Sequence, residues 1–355
     1  MGGLHKAVCK RNRTIDYCLK QRSYFRIGAV SLDITALNVK DTEAIKRLYQ
    51  ESFSGMDLYY GEYINDEYIQ RRLFSSVLYI TDRSIVHRVG DCELDAAVFA
   101  NLRKSPDQVS SDSLYLNLIV MKPDIDGKTS ATRLIKELLK IAERAGKRRV
   151  VTSLQWSGMW PGILSNYTQA IEICRETKAR LSHGEVFLVA DISRTLHLAK
   201  RGFQNLPSNL EIRQYYDEDY DKLHRLMMRN FSIGWLHETL SKVNVDFESF
   251  NGYGLAETYR PEDVLVVMDK KRLCGFCVVQ SVTDGYRSFI GPLGMEPSYR
   301  GQGIGTHLFL KALEYLNGRS KNSVGLWTSQ SIYQSFYSRF DMTETMSTYS
   351  AEWRI

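Results

Sequence analysis

A glycine-rich segment between a predicted strand and a predicted helix constrains the fold of this chain most. It reads Arg300-Gly301-Gln302-Gly303-Ile304-Gly305. The first amides of a helix lack intrahelical partners, and the helix dipole favours negative charge beside them. Glycines let a backbone approach a phosphate oxygen without an intervening side chain. The segment therefore predicts an anion-binding turn in an α/β fold, with Arg300 adding positive charge at its rim.

Two common phosphate-binding patterns do not fit this segment. The loop of nucleoside triphosphatases, GxxxxGK[ST], requires a Lys followed by Ser or Thr, which this segment lacks. In the dinucleotide pattern GxGxxG an acid ends the next strand, about 20 residues on. Here the third glycine comes one residue early, and the next predicted strand ends in Trp327-Thr328-Ser329.

The second half of the chain predicts a regular order of elements around this turn. Hydrophobic periodicity gives β-α-α-β-β-β-α-β-α-β. The strands are predicted at 210–214, 263–269, 273–282, 288–295, 323–327 and 346–353, and the helices at 220–230, 233–243, 304–316 and 332–340.

The first half repeats this order. Residues 123–134 align without a gap on residues 297–308, 174 residues later (297 − 123), and share Pro, the first Gly, Thr and Leu. Each segment follows a predicted strand and precedes an amphipathic helix. An internal duplication explains this match. We therefore expect two tandem α/β domains, each a central mixed sheet flanked by helices. They span 31–193 and 208–355, with a linker at 194–207 and a basic extension at 1–30.

The 300–305 segment matches the pattern [R/Q]xxGx[G/A] and resembles motif A of the GNAT superfamily of N-acetyltransferases. Residues 330–342 resemble that family's helix N-x-x-A-x-x-F/L-Y-x-x-x-G-F. Gln330 stands at the Asn, Tyr337 stands at the Tyr, and Asp341-Met342 replaces Gly-Phe. The resemblance covers 208–355 and, more weakly, 31–193. The two-domain plan is similar to that of mycothiol synthase, a tandem member of the superfamily.

The resemblance implies an acyltransferase that uses acetyl-CoA, or another acyl-CoA, as co-substrate without a metal. The CoA pyrophosphate would bind amides of residues 301–306, which end at Thr306. The pantetheine arm would lie where strands 288–295 and 323–327 separate, near Leu293 and Met295, and Gln330 joins the cofactor site. An amine would attack the thioester, and Tyr337 would protonate the departing thiolate.

No general base is identified from the sequence. Phe289 occupies the position at which some family members carry a glutamate, and Glu296 lies beyond the strand, where we expect it to be solvated. The acceptor-site candidates are Trp235, Tyr253 and Tyr259, from the region that covers the substrate in this superfamily.

The resemblance leaves the acceptor open. A cleft between tandem domains suits a small molecule, so we expect the primary amine of an antibiotic or biosynthetic intermediate. An acyl-CoA-binding sensor without turnover, and a protein lysine or N-terminal acetyltransferase, stay as alternatives.

In the first copy, Asp126 replaces Arg300, while Thr129 and Ala131 replace Gly303 and Gly305. A carboxylate at the rim repels a pyrophosphate, and side chains prevent close approach. We therefore expect the first domain to be catalytically silent.

Composition adds few constraints. The longest aliphatic run, 264–268, is far shorter than the roughly 20 residues of a membrane span. Residues 1–26 carry seven Lys or Arg against one acid, which predicts a surface extension without a signal peptide. Nucleic-acid contact by this extension stays an alternative, although a net charge of +6 does not require it.

The cysteines predict no metal site. Only Cys274 and Cys277 have metal-like spacing, no second pair accompanies them, and the histidines form no ligand pattern. Their odd offset in strand 273–282 predicts side chains on opposite faces. We expect structural cysteines in a reducing cytoplasm.

Overall fold

A computed structural model of the chain describes residues 34–54, 83–89, 93–105, 108–152, 161–199, 205–244, 260–281 and 288–355. Contacts divide the chain into two compact units. The first contains the described residues of 1–151 together with 172–179 and 352–355, and the second contains those of 152–171 and 180–351.

The first unit is built on an antiparallel sheet with helices. Its elements are β1 (Ile34–Ala36), α1 (Thr42–Ser52), β2 (Ile85–Val89), β3 (Glu93–Asn101), β4 (Arg103–Ser105), β5 (Gln108–Val109), β6 (Ser113–Met121), α2 (Ile125–Arg144) and β7 (Arg149–Thr152). β1, β2, β3 and β6 pair in that order, all antiparallel, and β7 follows β6 in the sheet. Residues 352–354 pair antiparallel with β7.

The second unit contains the elements of the glycine-rich turn. In chain order these are β8 (Ile163–Leu164), α3 (Thr168–Glu176, shared with the first unit), β9 (Arg180–Asp191), α4 (Ile192–Ala199), β10 (Leu210–Gln214), α5 (Tyr220–Asn230), α6 (Ile233–Val243), β11 (Val264–Asp269), β12 (Arg272–Ser281), β13 (Ser288–Met295), α7 (Ile304–Asn317), β14 (Ser323–Ser329), α8 (Gln330–Ser335) and β15 (Thr343–Arg354). β10 to β13 pair antiparallel in sequence order, β13 pairs parallel with β14, and β14 pairs antiparallel with β9.

Two apolar clusters cover the two faces of this sheet. On one face α7 buries Ile304, Leu308 and Phe309 against alternate residues of β12 to β14. On the other face α5 and α6 bury residues such as Leu223 and Leu240 against Phe276 and Val278 of β12. Burial on both faces explains why the strands read as nearly continuous apolar runs.

The mixed α/β fold is confirmed, and so is the element order predicted for the second half. The last helix is shorter than expected, because α8 ends at Ser335 and a 3-10 turn follows at Tyr337–Phe340. α4 covers the first residues of the predicted linker 194–207.

The contact-based units do not follow the sequence boundaries. β9 was predicted to end the first domain, but it pairs with β14 and belongs to the second unit, while residues 352–355 belong to the first. Strand pairing is decided by which edges meet in space, which chain order does not specify. The limits 31–193 and 208–355 stay a prediction about two related segments.

The expectation that Cys274 and Cys277 face opposite sides of the sheet is wrong. Both are buried in the α7 cluster. The register between β11 and β12 shifts at this point, with Val267 opposite Gly275 and Met268 opposite Leu273, so that Cys274 is an extra residue. Such a β-bulge breaks the alternation of side chains along a strand.

The expectation of a second turn in the first half is also wrong. The offset of 174 residues would start the helix at Ser130, but α2 begins at Ile125, and residues 126–131 are helical. No described helix is both long and apolar enough to cross a bilayer.

Candidate active site

The glycine-rich turn connects β13 to α7 as predicted. A 3-10 turn at Pro297–Tyr299 leads to Arg300, and Gly303 is the N-cap residue of α7. Gly301 has φ +75° and Gly303 has φ +78°. This left-handed conformation is strained for residues with a Cβ atom, so both positions require glycine for the path of the chain.

The turn presents backbone donors at its surface. The amides of Thr306 and His307 point to the carbonyl of Gly303, at 3.0 and 3.4 Å. Within the described chain, the amides of residues 301–305 make no hydrogen bond to protein. Gly303 also has no side chain to cap the helix. The N-terminus of α7 therefore combines unused donors with the positive end of a helix dipole.

Arg300 is held against the end of β13. Its Nε donates to the carbonyl oxygen of Met295 at 2.9 Å, while the residue as a whole is exposed. This bond holds the Arg300 side chain at the end of β13.

β13 and β14 separate next to the turn. These parallel strands pair at Phe289 and Gly325, and no further pair joins them in the described residues. The register between β12 and β13 shifts where Cys277 faces Leu293 and Val279 faces Ile290, so residues 291–292 form a bulge. Leu293 and Met295 lie in the part of β13 beyond this bulge, where no pair with β14 is formed among the described residues.

Tyr337 lies in the cluster beneath α7. Its ring contacts Phe309 at a centroid distance of 5.4 Å and Phe336 at 4.7 Å. Burial, with a smaller effect of the Cys277 thiol, raises the pKa of Tyr337 well above its ordinary value. The phenol is therefore protonated at neutral pH. Its hydroxyl makes no hydrogen bond to the described residues.

The other predicted residues have mixed surroundings. Gln330 is exposed at the first position of α8. Trp235 is half-buried and stacks on Phe231 at 5.5 Å, so its ring is part of an aromatic cluster with Phe276. Tyr253 and Tyr259 lie outside the described residues, as does the extension 1–30.

Neither of the two positions considered from the sequence for a general base, 289 and 296, provides an unpaired carboxylate. Phe289 is buried, with its ring 6.2 Å from that of Phe187. The expectation that Glu296 is solvated is wrong, because it is largely buried and forms an ion pair with Arg272. Among the described residues no group of three or more Cys, His, Asp or Glu could hold a metal ion.

The first unit has a different helix start. Asp124 caps α2, and its Oδ1 accepts a hydrogen bond from the amide of Gly127 at 2.7 Å. A carboxylate of the protein thus takes the place that an anion would need. Gly127 also differs in purpose from its counterpart Gly301, since an added Cβ would lie 2.3 Å from the carbonyl oxygen of Lys122.

Comparison with known sequences agrees with this geometry. The sequence model of the acetyltransferase (GNAT) family matches residues 220–341, which include the turn, α7 and Tyr337. The chain carries a GNAT acetyltransferase domain. Among curated proteins no sequence matches.

Solved structures share the GNAT fold over most of the chain. The glucosamine N-acetyltransferase region of a fungal multi-domain GH3 β-N-acetylglucosaminidase has TM-score 0.68 and 15% identity, over 92% of this chain and 38% of that one. A GCN5-related N-acetyltransferase from Sphaerobacter thermophilus has TM-score 0.62 and 15% identity, over 92% and 97%. A tandem GNAT protein from the clavulanic acid biosynthesis pathway has TM-score 0.61 and 12% identity, over 91% and 98%.

Sequence reasoning missed two features, one in each unit. The Asp124 cap had a sequence signal, an Asp directly before an amphipathic helix. The hydrogen bond from Gln280 Nε2 to Glu238 Oε1, at 3.1 Å, had none, because the two residues are 42 positions apart.

Proposed function

We propose that the second unit transfers an acetyl group from acetyl-CoA to the primary amine of a small molecule. The observation that carries this proposal is the N-terminus of α7, where two left-handed glycines expose backbone amides without a capping side chain. Such a site suits the pyrophosphate of CoA, whose charge the helix dipole stabilises. At the start of α2, by contrast, the Asp124 carboxylate accepts a hydrogen bond from a helix amide, in the place that an anion would need. This difference supports a single cofactor site, in the second unit.

The pantetheine arm extends from this turn between β13 and β14. Because the two strands pair only at Phe289 and Gly325 in the described residues, the edge of β13 near Leu293 can pair with pantetheine amides. In this proposal the thioester lies near the bulge. A backbone amide near Met295 stabilises the oxyanion that forms when the amine attacks the carbonyl. The C–N bond forms, the C–S bond breaks, and the thiolate leaves.

Tyr337 acts on the leaving sulfur. Its raised pKa keeps the phenol protonated, so it donates a hydrogen bond to the developing thiolate. A phenol with a raised pKa releases its proton reluctantly. Stabilisation of the thiolate by this hydrogen bond is therefore its first contribution, and proton delivery to sulfur completes the step.

Support for a small amine comes from the fold neighbours. One is described as a glucosamine N-acetyltransferase region and another belongs to a biosynthetic pathway for a small molecule. Both share the fold with this chain at low identity, so the choice of amine rests on experiment.

The test measures free thiol released from acetyl-CoA with glucosamine, spermidine, an aminoglycoside and a lysine-containing peptide. We expect turnover with at least one non-peptide amine, and acetyl-CoA binding by calorimetry. Turnover with the peptide alone would replace the small-molecule proposal with protein acetylation, and binding without any turnover would indicate a sensor.

The role of Tyr337 has a matched control on the same segment. Tyr337→Phe should lower kcat by about 100-fold, within the range for loss of an acid catalyst, without changing acetyl-CoA affinity. Tyr333→Phe removes a hydroxyl whose only described bond goes to the Met342 carbonyl, at 3.4 Å, and should leave kcat near wild type. Equal kcat values for the two variants would refute the assignment.

A further inference from the structure

Transfer to an amine needs a group that accepts a proton, because a primary amine is mostly an ammonium ion at neutral pH. β13 has the sequence Ser-Phe-Ile-Gly-Pro-Leu-Gly-Met and supplies no carboxylate or histidine. Glu296, just beyond it, is neutralised by Arg272. Among the described residues, the candidates for a protein base lie on the elements that pack against this strand.

α6 brings one carboxylate to the bulge of β13. Glu238 lies in the second half of this helix, and its Oε1 accepts a hydrogen bond from Gln280 Nε2 at 3.1 Å. The same Nε2 donates to the carbonyl oxygen of Gly291 at 3.3 Å. One amide group thus connects the carboxylate of α6 to the backbone of the bulge.

The hydrogen bonds of Gln280 lie on the opposite face of the sheet from Tyr337. Gln280 follows Phe276 and Val278 at alternate positions of β12, on the face covered by α5 and α6. Tyr337 belongs to the cluster on the opposite face, beneath α7. A thioester in the gap between β13 and β14 would therefore have the phenol on one side and the Glu238 carboxylate on the other. Separate positions suit the reaction, because the attacking nitrogen and the departing sulfur occupy different corners of the tetrahedral intermediate.

Gln280 suits the task of holding a base. Its amide Nε2 donates to Glu238 Oε1, so Gln280 orients the carboxylate by a hydrogen bond.

We propose that Glu238 is the general base of the acetyl transfer and that Gln280 is its positioning residue. This inference rests on the proposed function. The Glu238 carboxylate takes a proton from the acceptor ammonium ion, directly or through one water molecule. The free amine attacks the thioester carbonyl, the C–S bond breaks, and Tyr337 protonates the CoA thiolate. The second proton of the nitrogen is lost as the amide forms and restores the Tyr337 phenol through solvent, and Glu238 returns its own proton to solvent.

The experiment compares two acceptors with the full-length protein. Glucosamine must lose a proton before it attacks, whereas hydroxylamine is already mostly neutral at about pH 7. Glu238→Gln should lower kcat/KM for glucosamine by about 100-fold and affect hydroxylamine far less. Gln280→Ala should lower kcat for glucosamine by about tenfold, because the base loses its orientation. The control is Glu314→Gln, which neutralises an exposed glutamate paired with Lys311 on α7 and should match wild type.

The outcomes are separable. Acetyl-CoA affinity, measured by calorimetry, should be equal in all variants, which shows that the cofactor site is folded. If wild type turns over glucosamine and Glu238→Gln retains its rate, the assignment of the base is wrong while the proposed function stands. A loss of equal size for both acceptors would indicate a structural role and would also overturn it. If spermidine or the aminoglycoside is the amine that wild type acetylates, it takes the place of glucosamine in this comparison. If wild type acetylates none of these amines, both proposals fail.

Discussion

The three glycines of the turn look equivalent in the sequence, but the structure predicts opposite effects for two of them. Gly303 has φ +78°, and an added Cβ would meet no atom within 4 Å. Gly305 has no positive φ, and its Cβ would lie 3.7 Å from the ring of Phe336, an ordinary van der Waals distance. An alanine at 303 is therefore strained without a clash, and one at 305 is neither strained nor crowded.

The magnitudes follow from these two environments. A left-handed conformation costs a residue with a Cβ roughly 1–2 kcal/mol. A change from Gly to Ala also restricts the unfolded chain, which stabilises the folded state by about 0.4–1 kcal/mol. Gly303→Ala should therefore lose about 1 kcal/mol of unfolding free energy. Gly305→Ala, in the first turn of α7, should gain up to about 1 kcal/mol from helix propensity.

Thermal unfolding tests this difference of about 2 kcal/mol. In a unit of this size it separates the two midpoints by roughly 4–8 °C. Gly303→Asn provides the control, because Asn tolerates the left-handed region better than Ala despite its larger side chain. Its midpoint should lie between those of wild type and Gly303→Ala. Equal midpoints for the two alanine variants, or a less stable Asn variant, would refute the conformational argument.

Two other predictions concern buried groups. Burial favours a higher pKa for Asp219, but bonds from Arg213, the shorter at 2.6 Å, and from Lys222 outweigh it and lower the pKa. The stability this gives is present above about pH 4 and is lost as pH falls through the lowered folded value. Asp219→Asn should therefore lower the unfolding free energy by about 2 kcal/mol at neutral pH. Urea titrations at acidic pH should show a smaller loss of stability for this variant than for wild type. Burial also raises the pKa of the Cys174 thiol to about 12 and that of the Cys274 thiol to about 11. Iodoacetamide, which reacts with thiolates, should therefore label both cysteines in urea but not in the native protein. Rapid labelling of the native protein, read by peptide mapping, would contradict this burial.

Local signals in the sequence were sufficient for most of the elements in the second half. The helix at 220–230 and the strand at 288–295 have the predicted limits, because each has a clear period and a polar or glycine boundary. Errors occurred where the backbone departs from a regular period. The bulge at Cys274 inserts one residue into β12, and this reverses the expected face of Cys277.

Residues 123–134 illustrate a different limit. The alignment predicted a glycine-poor turn at 126–131 that would precede a helix, and the substitutions Thr129 and Ala131 predicted a silent site. Instead, residues 126–131 are helical. Residues without glycine's freedom continue the helix back to Ile125, where Asp124 supplies the cap. The competition between a turn and a longer helix depends on that cap.

The sequence alone indicated a GNAT domain in the second half, the order of elements there, and the glycine-rich turn at 300–305. These depend on residues close together in the chain, where periodicity and glycine content act directly on the backbone. The tertiary structure decided which strands pair, so that β9 joins β14, and which carboxylate reaches the bulge of β13. Glu238, Gln280 and Gly291 meet through packing of a helix on a sheet. No local pattern encodes that meeting, because it depends on distances between segments far apart in sequence.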